Sequence, residues 1–315
     1  AKTTIVELKG PFGEGRRFTL VAREPVSNDR LAKRGDLELT VELTYYRRYP
    51  KTLFTRASIK NVGKAPLENL ALVGPRVSVS AGPEGAKLAF LGAAKGWGKD
   101  TVVKLSGGLH KKNWLCWQRG LGGGGLPINV IWGKKGGVAL GHSDPGPQHV
   151  HLPLSVGKDF SASTWLEERA ATLSPGASRR GLRGFVTAHA GDFYTPVAEY
   201  REILSDQGQK PPRPPASAYE PIWCSWGYEF DVRPEEVIKI LPKLKALGLR
   251  WVVLDDRWFD TYGDWNPRSD TFGKGGAKLK KLVSAIHAQG LLAKLWWIPL
   301  VAEVAGPRYE SHVYK

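Results

Sequence analysis

The chain has 315 residues, 42% of them hydrophobic and 24% charged, so it is long enough for two domains and has the composition of a soluble globular protein rather than a disordered one. No apolar run approaches the ~18 residues that cross a bilayer, and the start, AKTTIVELKG, has no apolar signal-peptide core. The net charge of +16 comes from lysines and arginines scattered over both halves, which indicates a basic surface rather than a nucleic-acid site or another polyanion site.

The cysteine content bears on the compartment. Cys116 and Cys224 are the two cysteines, too few for a disulfide framework. This favours a cytoplasmic protein with reduced thiols over a secreted one, and a single disulfide between the two residues stays open. Asn and Gln are scarce while Pro, Lys and Arg are plentiful, a composition that suits a heat-adapted source.

The pattern of residues 1–195 predicts β structure. The run LELTVELTYY places Leu37, Leu39, Val41 and Leu43 on one face and polar residues on the other, which is typical of a half-buried strand. Similar short runs follow, separated by Gly and Pro: LFTRASIKN, VVKLSG, INVIWG, GVALGH and GLRGFVTAH. Many short strands with such turns predict a sandwich or barrel.

A connector is expected at residues 196–219. The run VAEYREIL, residues 197–204, predicts a short helix. The segment QKPPRPPASAYEP then holds five prolines between residues 211 and 221, which predicts a stiff linker and a domain boundary.

From residue 220 to 315 strand-like and helix-like runs alternate, which predicts a parallel sheet. Pro234 opens the run PEEVIKILPKLKALG with acids in its first turn and Gly248 at its end, and Pro242 is expected to kink that helix. A second helix is expected in GAKLKKLVSAIHAQG. The three strands are PIWCSW, LRWVVLDD and LLAKLWWIP, and their carboxyl ends are where active sites form in (β/α)8 barrels and in open α/β sheets alike.

Two adjacent carboxylates, Asp255 and Asp256, close the second of these strands, although a buried strand has no favourable place for two charges. Ionised carboxylates only accept hydrogen bonds, and a sugar offers neighbouring O–H donors. Trp226 and Trp296, at the ends of the other two strands, add flat apolar faces on which the C–H face of a pyranose packs. The pattern therefore predicts a sugar-binding site.

Other interpretations stay open from these residues alone. An Asp after a strand is often a helix cap, and tryptophans at strand ends are often core residues. A metal site would need a third ligand such as Asp260, Asp264 or His287, at no diagnostic spacing. A catalytic acid/base pair made of Asp255 and Asp256 is disfavoured, because immediate neighbours sit too close to flank a glycosidic bond at the ~5 Å or more that the chemistry needs.

Three weaker signals are set aside. The motif G-x-G-x-x-G occurs at Gly120, Gly122 and Gly125, but a proline and a strand-like run follow it instead of the helix that a dinucleotide site needs. His149 and His151 share a strand face, and without a further ligand nearby they are expected at the surface or the sandwich rim rather than in a metal site. Neither cysteine has a recognisable base partner, so a nucleophilic thiol is not expected.

Four stretches of the chain together resemble glycoside hydrolase family 36, the α-galactosidase (melibiase) family to which raffinose synthase-like proteins are related. They are, in order, YPKTLFTRASIKNVGKAPLENLAL, PIWCSWGYEF, WVVLDDRWFDTYGDW and IHAQGLLAKLWWIPL. The resemblance implies an N-terminal β-supersandwich domain, residues 1–195, and the first three units of a (β/α)8 TIM barrel in residues 220–315. It also implies retaining hydrolysis of terminal α-linked galactose, with no metal or organic cofactor.

The resemblance also implies roles for individual residues. Asp255 and Asp256 match the acid pair that binds the 4- and 6-hydroxyls of galactose. Trp226 matches the aromatic residue at the end of strand one, and Trp296 matches the strand-three tryptophan of the sugar pocket.

Further positions match the family less firmly. Asp264 and Trp265 match a recurring Gly-Asp-Trp in the loop after the acid pair, and Arg257 departs from the small residue that the family more often has there, so that it could pair with Asp256 or narrow the pocket. The sandwich domain of such enzymes can lend an aromatic residue to the pocket. The candidates in this chain are Trp97, Trp114 and Trp117.

The catalytic carboxylates that the resemblance implies are not found. The family nucleophile lies in a Lys-x-Asp pattern at the end of strand four, and its acid/base lies near strand six. No lysine of this chain has an Asp two positions later, so both acids are expected beyond Lys315, and the chain alone is expected to be inactive.

Three of eight barrel units leave an open sheet edge. The chain is therefore expected to aggregate, or to recruit a second polypeptide or further copies of itself that complete the barrel. Two alternatives to a hydrolase stay open. One is a galactosyl-transferring enzyme of the raffinose or stachyose synthase type, and the other is a non-catalytic carbohydrate-binding protein.

Overall fold

The computed structural model of the protein describes residues 2–23, 36–81, 85–93, 101–115, 125–146, 148–211, 213–228 and 232–298. These residues form two compact units, which divide the chain into residues 1–211 and residues 212–315. The first is called the β unit below and the second the α/β unit. Among the described helices, none combines the length and the apolar character needed to cross a membrane.

The β unit consists almost entirely of short strands, in agreement with the period-two patterns of its sequence. In chain order its described strands are β1 Lys2–Gly10, β2 Gly13–Arg23, β3 Leu37–Tyr46, β4 Thr52–Asn61, β5 Leu67–Leu70, β6 Val73–Ser80, β7 Leu88–Ala93, β8 Val102–Lys104, β9 His110–Lys111, β10 Trp114–Leu115, β11 Gly125–Gly133, β12 Gly136–His142, β13 Val150–His151, β14 Leu154–Val156, β15 Ser161–Glu168, β16 Ala171–Leu173, β17 Ser178–Arg180 and β18 Gly184–His189. One helix, α1 Tyr194–Asp206, ends the unit, where the sequence predicts a helix at residues 197–204.

The strands pair antiparallel in two main sheets. The larger sheet has the order β1-β2-β3-β4-β18-β12-β11-β7-β8, with β17 pairing to β4, and the smaller has the order β10-β13-β15-β14-β9, with β6 pairing to β15. Strands β5 and β16 form a separate pair. An N-terminal β domain is therefore confirmed.

The two main sheets pack face to face, and the centre of the larger sheet is covered on both sides. Ile131 of β11 packs with Leu154 and Val156 of the smaller sheet. On the opposite side, Val130 of β11 lies in a cluster with Ile203 of α1. Strand β11 is consequently buried on both faces, which explains its near-continuous apolar run INVIW.

The apolar face predicted for β3 is only partly covered. Leu37 at the start of the strand is buried, in a cluster with Leu67 and Leu173. Leu43, six residues along the same face, is 38% exposed, whereas its polar neighbour Thr44 is 9% exposed. The prediction that this whole face is buried is therefore wrong for its second half, since alternation fixes which side chains share a face but not what packs on it.

The α/β unit has three strands, β19 Ile222–Cys224, β20 Trp251–Leu254 and β21 Leu292–Leu295, which pair in this order and run parallel. Its helices are α2 Pro234–Ala246, α3 Ser269–Phe272 and α4 Ala277–Ala288, and 3₁₀ turns lie at Ala216–Tyr219, Ser225–Tyr228 and Lys274–Gly276. The predicted order of strand, helix, strand, helix and strand is present. All three strands are shorter than their apolar runs, because pairing ends where the carboxyl-end loops begin.

Helix α2 begins with Pro234 at its first turn, followed by Glu235 and Glu236, whose charges suit the positive end of the helix dipole. It continues through Pro242 to Ala246 without a break. Its apolar side chains pack on β20 together with those of α4, and the period of the helix would place Leu247 on the same stripe, but Leu247 lies after the last turn and is 65% exposed. The buried members of the two stripes are Val237, Leu241, Leu244, Leu279, Leu282 and Ile286.

Candidate functional site

The carboxyl ends of the three parallel strands are tied together by hydrogen bonds. The Asp255 N–H, just after β20, donates to Ser225 Oγ at 2.9 Å, just after β19. On the other side, the Trp296 N–H donates to the Leu254 carbonyl at 2.8 Å, and Trp258 Nε1 donates to the Trp296 carbonyl at 2.7 Å. The ends of the strands therefore form one connected rim, on which the residues predicted for a sugar site lie.

The Asp255 carboxylate is held by two local donors. Its Oδ2 accepts from the Cys224 thiol at 3.0 Å, and its Oδ1 accepts from the Asp256 N–H at 2.8 Å. The thiol comes from the neighbouring strand, 31 residues earlier in the chain, so the orientation of this carboxylate depends on the pairing of β19 with β20.

The Asp256 carboxylate is held in the same way within its own loop. Its Oδ1 accepts from the Arg257 N–H at 2.7 Å, and its Oδ2 accepts from the Tyr262 hydroxyl at 2.5 Å. Arg257 adopts a left-handed conformation with φ of 65°, and its guanidinium lies 4.6 Å from the centre of the Tyr262 ring. Both carboxylates remain half-exposed.

Aromatic side chains pack against one another next to this rim of strand ends. Phe259, which is fully buried, packs against Trp296 with ring centres 6.3 Å apart and nearly parallel planes, and against Trp265 edge-on at 4.6 Å. Tyr262 lies edge-on to Trp296 at 6.3 Å, and Trp297 lies edge-on to Trp265 at 6.2 Å. The half-buried indole of Trp296 is thereby fixed beside the tyrosine that binds Asp256.

The loop that carries these aromatics closes on itself. The Arg268 N–H donates to the Trp258 carbonyl at 3.1 Å, and the Asp260 N–H donates to the Asn266 carbonyl at 2.9 Å. Asp264 accepts from the Asn266 side-chain amide at 2.7 Å, so it contributes to the loop. Trp265 next to it has φ of 58°.

Trp226 stands apart from the aromatic group. It lies in the 3₁₀ turn after β19 rather than in the strand, and it is 54% exposed. Its backbone N–H hydrogen-bonds the Cys224 sulfur. The structure thus places Asp255, Asp256, Trp265 and Trp296 in one network and leaves the Trp226 indole open to solvent beside it.

The protonation of Cys224 supports its role as a donor. Burial raises the pKa of the Cys224 thiol, and the hydrogen bond to Asp255 raises it further, partly opposed by the Trp226 N–H. Near neutral pH the sulfur therefore keeps its proton and can donate it to Asp255. The sequence did not single out Ser225, Phe259 or Tyr262 as site residues, and Cys224 was considered there as a disulfide partner or a nucleophile but not as a donor to Asp255. The sequence feature that could have pointed to Tyr262 was the spacing of the aromatic residues that follow the acid pair.

A metal site finds no support in the described part of the chain, where no group of three or more His, Cys, Asp and Glu side chains is placed to hold an ion. Asp260 is exposed in the loop, and His287 lies in the last turn of α4. That turn leads into the start of β21, whereas the acid pair follows the end of β20.

The aromatic candidates of the β unit are only partly described. Trp114 of β10 stacks on His151 of β13 with ring centres 4.1 Å apart, and His149 lies 5.5 Å from Trp114. His151 is 9% exposed, because the indole covers its ring. Trp97, Trp117, Cys116, Gly120 and Gly122 lie outside the described residues.

Comparison with known proteins identifies relatives among the glycoside hydrolases. The A type blood α-D-galactosamine galactosaminidase of Flavonifractor plautii is 29% identical over 190 residues, which are 59% of this chain and 18% of that protein. The α-galactosidase Mel36A of Lactobacillus acidophilus is 34% identical over 93 residues, which are 27% of this chain and 12% of that protein. No protein-family model matches the sequence.

A solved structure shares the fold. A variant of the family 36 α-galactosidase AgaA from Geobacillus stearothermophilus, in complex with raffinose, superposes with a TM-score of 0.58 at 19% identity, over 95% of this chain and 42% of that one. In sequence and in fold, the homologues of this chain are thus α-galactosidases of glycoside hydrolase family 36 and enzymes similar to them. The chain spans less than half the length of these relatives.

Proposed function

We propose that the α/β unit supplies the sugar-binding part of a retaining glycoside hydrolase that acts on terminal α-linked galactose. The observation that carries this proposal is the pair Asp255 and Asp256 at the end of β20. Both carboxylates are oriented by local donors, half-exposed, and set beside the fixed indole of Trp296.

The hydrogen-bonding capacity of the pair suits a polyhydroxylated ligand. An ionised carboxylate has about four acceptor positions, and the contacts described above use two on each acid. With the donors of the described residues counted, about two remain on each acid for O–H donors, which matches neighbouring hydroxyls of one hexose. A ligand that lacked a hydroxyl would leave an acceptor unpaired, which favours specificity.

Two indoles at the rim suit the apolar face of the same sugar. Trp296 is held between Phe259 and Tyr262, and Trp226 presents an exposed ring at the neighbouring strand end. An exposed large aromatic ring next to fixed polar groups is typical of a small-ligand site, since the ring contributes apolar contact and the polar groups set orientation.

The proposal assigns the bond-breaking step to other residues. In a retaining mechanism one carboxylate attacks the anomeric carbon while a second acid protonates the departing oxygen, and water then releases the sugar from the enzyme. Asp255 and Asp256 are immediate neighbours and sit too close together to flank the glycosidic bond. Their proposed role is therefore to bind hydroxyls of the sugar. We assign the two catalytic carboxylates, and the remaining units of a (β/α)8 barrel, to polypeptide outside this sequence.

A second substrate is favoured by one relative. The Flavonifractor plautii protein, whose match covers 190 residues, is named for an α-linked galactosamine. Galactosamine differs from galactose at C2 and has the same 4- and 6-hydroxyls, so the acid pair would bind both sugars alike. The two candidates differ only in what the rest of the site provides around C2.

Titration of the 315-residue chain with methyl α-galactoside and with methyl α-glucoside tests the binding proposal, with tryptophan fluorescence or ligand-observed NMR as the readout. The two sugars differ only in the configuration at C4. We expect the galactoside to bind with a Kd of about 1 mM and the glucoside to bind at least ~10-fold more weakly, the cost of one unpaired polar group. Methyl α-galactosaminide, added as a third arm, should bind about as tightly as the galactoside, because the acid pair meets the same 4- and 6-hydroxyls in both sugars.

The matched variants are Asp255→Asn and Asp256→Asn, with Asp260→Asn as the control. All three remove one negative charge, but Asp260 is exposed in the loop and does not belong to the pair. Loss of galactoside binding in the first two and not in the third is the expected result. The proposed sugar site would be refuted if methyl α-galactoside and methyl α-glucoside bound equally well. It would also be refuted if Asp255→Asn and Asp256→Asn kept the wild-type affinity. Turnover of p-nitrophenyl α-galactoside by the chain would refute the assignment of the catalytic acids to other polypeptide.

A further inference from the structure

Arg257, which directly follows the acid pair, has a backbone conformation that arginine rarely adopts. Its φ is 65°, in the left-handed region that favours glycine. Four non-glycine residues in the described ranges have a positive φ, and two of them, Arg257 and Trp265, belong to the loop after the acid pair. Strain of this kind persists where the surrounding contacts hold the residue in place, and it is often found at binding sites. The contacts of Arg257 therefore bear on what this loop does.

The guanidinium of Arg257 lies over an aromatic ring of the same loop. Its distance to the centre of the Tyr262 ring is 4.6 Å, which is shorter than the 5.1 Å between the ring centres of Tyr262 and Phe259. A cation within about 6 Å of a ring centre is attracted by the negative face of the ring. The contact thus joins the start of the loop to its middle and restrains the Tyr262 side chain.

Tyr262 in turn holds the Asp256 carboxylate. The Tyr262 hydroxyl donates to Asp256 Oδ2 at 2.5 Å, and the Arg257 N–H donates to Asp256 Oδ1 at 2.7 Å. Donors at both oxygens fix the plane of the carboxylate, and that plane sets the directions from which a sugar hydroxyl can donate. Arg257 therefore acts on Asp256 at both oxygens, directly through its main chain and indirectly through the Tyr262 ring.

We infer that Arg257 is a positioning residue of the sugar site, whose guanidinium holds Tyr262 in the orientation in which the hydroxyl binds Asp256. This inference rests on the proposed function, because a misplaced Asp256 is expected to show as weaker sugar binding. It assigns to Arg257 an effect on sugar affinity that is transmitted through two other side chains. A positioning role also accounts for the left-handed backbone, since the contacts of the side chain offset its strain.

Two other ways in which Arg257 could act predict a different pattern. The guanidinium could contact the sugar, or its charge could act on Asp256 across space, and Tyr262 would take part in neither. The loss from removing the guanidinium and the loss from removing the Tyr262 hydroxyl would then be independent, and the two fold-changes would multiply. If Arg257 acts through Tyr262, the hydroxyl carries both effects and the two losses overlap. A double-variant cycle therefore distinguishes these cases.

The single variants separate the guanidinium from the backbone. Arg257→Asn removes the guanidinium, and asparagine tolerates the left-handed conformation, so the main-chain contact with Asp256 is kept. Titration with methyl α-galactoside should give a Kd roughly 3-fold above that of the wild type, the loss of one partly exposed cation–π contact. Arg257→Lys keeps a cation for the ring and should restore the affinity to within about 2-fold. The urea midpoint of Arg257→Asn should not fall, whereas loss of a merely structural residue would lower the midpoint and leave the affinity unchanged.

The cycle is completed by combining Arg257→Asn with Tyr262→Phe. Tyr262→Phe alone is expected to weaken binding roughly 5-fold. Since phenylalanine has no hydroxyl to hold, the double variant should bind as Tyr262→Phe does. Arg250→Asn is the matched control, because it removes the same charge from an exposed arginine just before β20, at the opposite end of the strand from the acid pair. Its affinity should equal that of the wild type.

Three results would overturn the inference. They are wild-type affinity in Arg257→Asn, an equal loss in Arg250→Asn, and a roughly 15-fold loss in the double variant, the product of the two single losses. Failure of the sugar site itself is recognised separately. If the wild type binds methyl α-galactoside and methyl α-glucoside equally, the proposed function falls and the inference with it. If the wild type prefers the galactoside and Asp256→Asn loses it while Arg257→Asn does not, the inference alone is wrong.

Discussion

Two groups of hydrogen-bonded polar side chains, one in each unit, differ in burial and in how their donors and acceptors are paired. In the β unit, Asn129 of β11 is 1% exposed, and both its amide nitrogen and its amide oxygen have hydrogen-bond partners within the protein. It accepts from Asn113 at 2.7 Å and donates to the Leu152 carbonyl at 2.7 Å and to Thr164 Oγ at 2.9 Å. These contacts join the larger sheet to the smaller one, because β11 belongs to the first and Thr164 to the second.

In the α/β unit, Asp255 and Asp256 also accept hydrogen bonds from named donors, but they lie at a strand end and remain half-exposed, and the donors among the described residues fill only part of their acceptor positions. A buried polar group that is fully paired contributes to stability and is costly to alter. A group at an open edge that can also hydrogen-bond to water contributes less to stability. Burial and remaining hydrogen-bonding capacity, rather than the number of bonds, distinguish the two cases.

The largest expected effect is on the buried network. Asn129→Ala removes three hydrogen bonds and leaves buried partners unpaired, so the free energy of unfolding should fall by about 3 kcal/mol. Urea unfolding measures this loss, and Asn266→Ala, an exposed amide in the loop, is the control and should change stability by less than ~0.5 kcal/mol. Galactoside affinity should be unchanged in both. A loss below ~1 kcal/mol for Asn129→Ala would show that the buried hydrogen bonds of Asn129 are not important for stability.

A pH effect of similar size is expected from His142 in the β unit. Burial lowers the pKa of His142 from 6.5 to about 4, partly opposed by Asp144. The folded state binds this proton less readily than the unfolded state. His142 therefore costs no stability above pH 6.5, where it is neutral in both states. As the pH falls from 6.5 towards 4, the unfolded state takes up the proton first and the free energy of unfolding decreases. The loss amounts to about 3 kcal/mol.

Urea unfolding of wild type and His142→Gln between pH 7 and pH 4 measures this contribution. Carboxylates titrate in both proteins, so the difference between the two curves isolates the histidine. The wild-type curve should fall more steeply, and parallel curves would show that the burial of His142 does not disfavour its charged form.

A smaller effect is expected at the hydroxyl that orients Asp256. Tyr262→Phe removes the donor at 2.5 Å but keeps the ring that packs on Trp296. Galactoside affinity should fall by roughly 5-fold, about 1 kcal/mol, while stability changes by less than that, since the carboxylate can bind water instead. Tyr219→Phe, at an 80% exposed tyrosine of the same unit, is the control. An affinity equal to wild type would show that Asp256 is not positioned by this contact.

The smallest effect concerns the thiol next to Asp255. Since burial and the hydrogen bond to Asp255 both raise the pKa of Cys224, its reaction with iodoacetamide should be slow near pH 8. Asp255→Asn removes the second cause, so the rate at pH 8 should rise a few-fold, measured by mass spectrometry of the Cys224 peptide. Asp260→Asn should leave the rate unchanged. A decreased rate in Asp255→Asn would contradict the direction of the contact.

Local patterns predicted much of the fold. Pro234 and the two glutamates after it mark the start of α2 because those residue types suit a first helical turn, and the helix begins there. The period of two in LELTVELTYY predicts β3, and the strand spans Leu37–Tyr46. The position of the acid pair after β20 also follows from sequence, since apolar runs that end in charges mark strand ends.

The same patterns could not predict the partners of those residues. The donor to Asp255 is a thiol 31 residues earlier in the chain, and it becomes a neighbour only because β19 pairs with β20. Tyr262 reaches Asp256 because the loop closes between Phe259 and Pro267. Sequence reasoning found the acids and missed these donors, because hydrogen bonds between strands and across loops depend on distances that residue order does not encode.

Residue order alone was enough to place the strands and helices and to set two carboxylates with tryptophans nearby at the ends of parallel strands. These features depend on periodicity and capping, which act over a few residues. Tertiary packing sets which of these side chains are covered: Leu37 is buried while Leu43 on the same face is exposed, and Asp255 and Asp256 receive their donors from a neighbouring strand and a closed loop. Burial and pairing depend on which distant elements pack on a face, and long-range packing is a property of the whole fold.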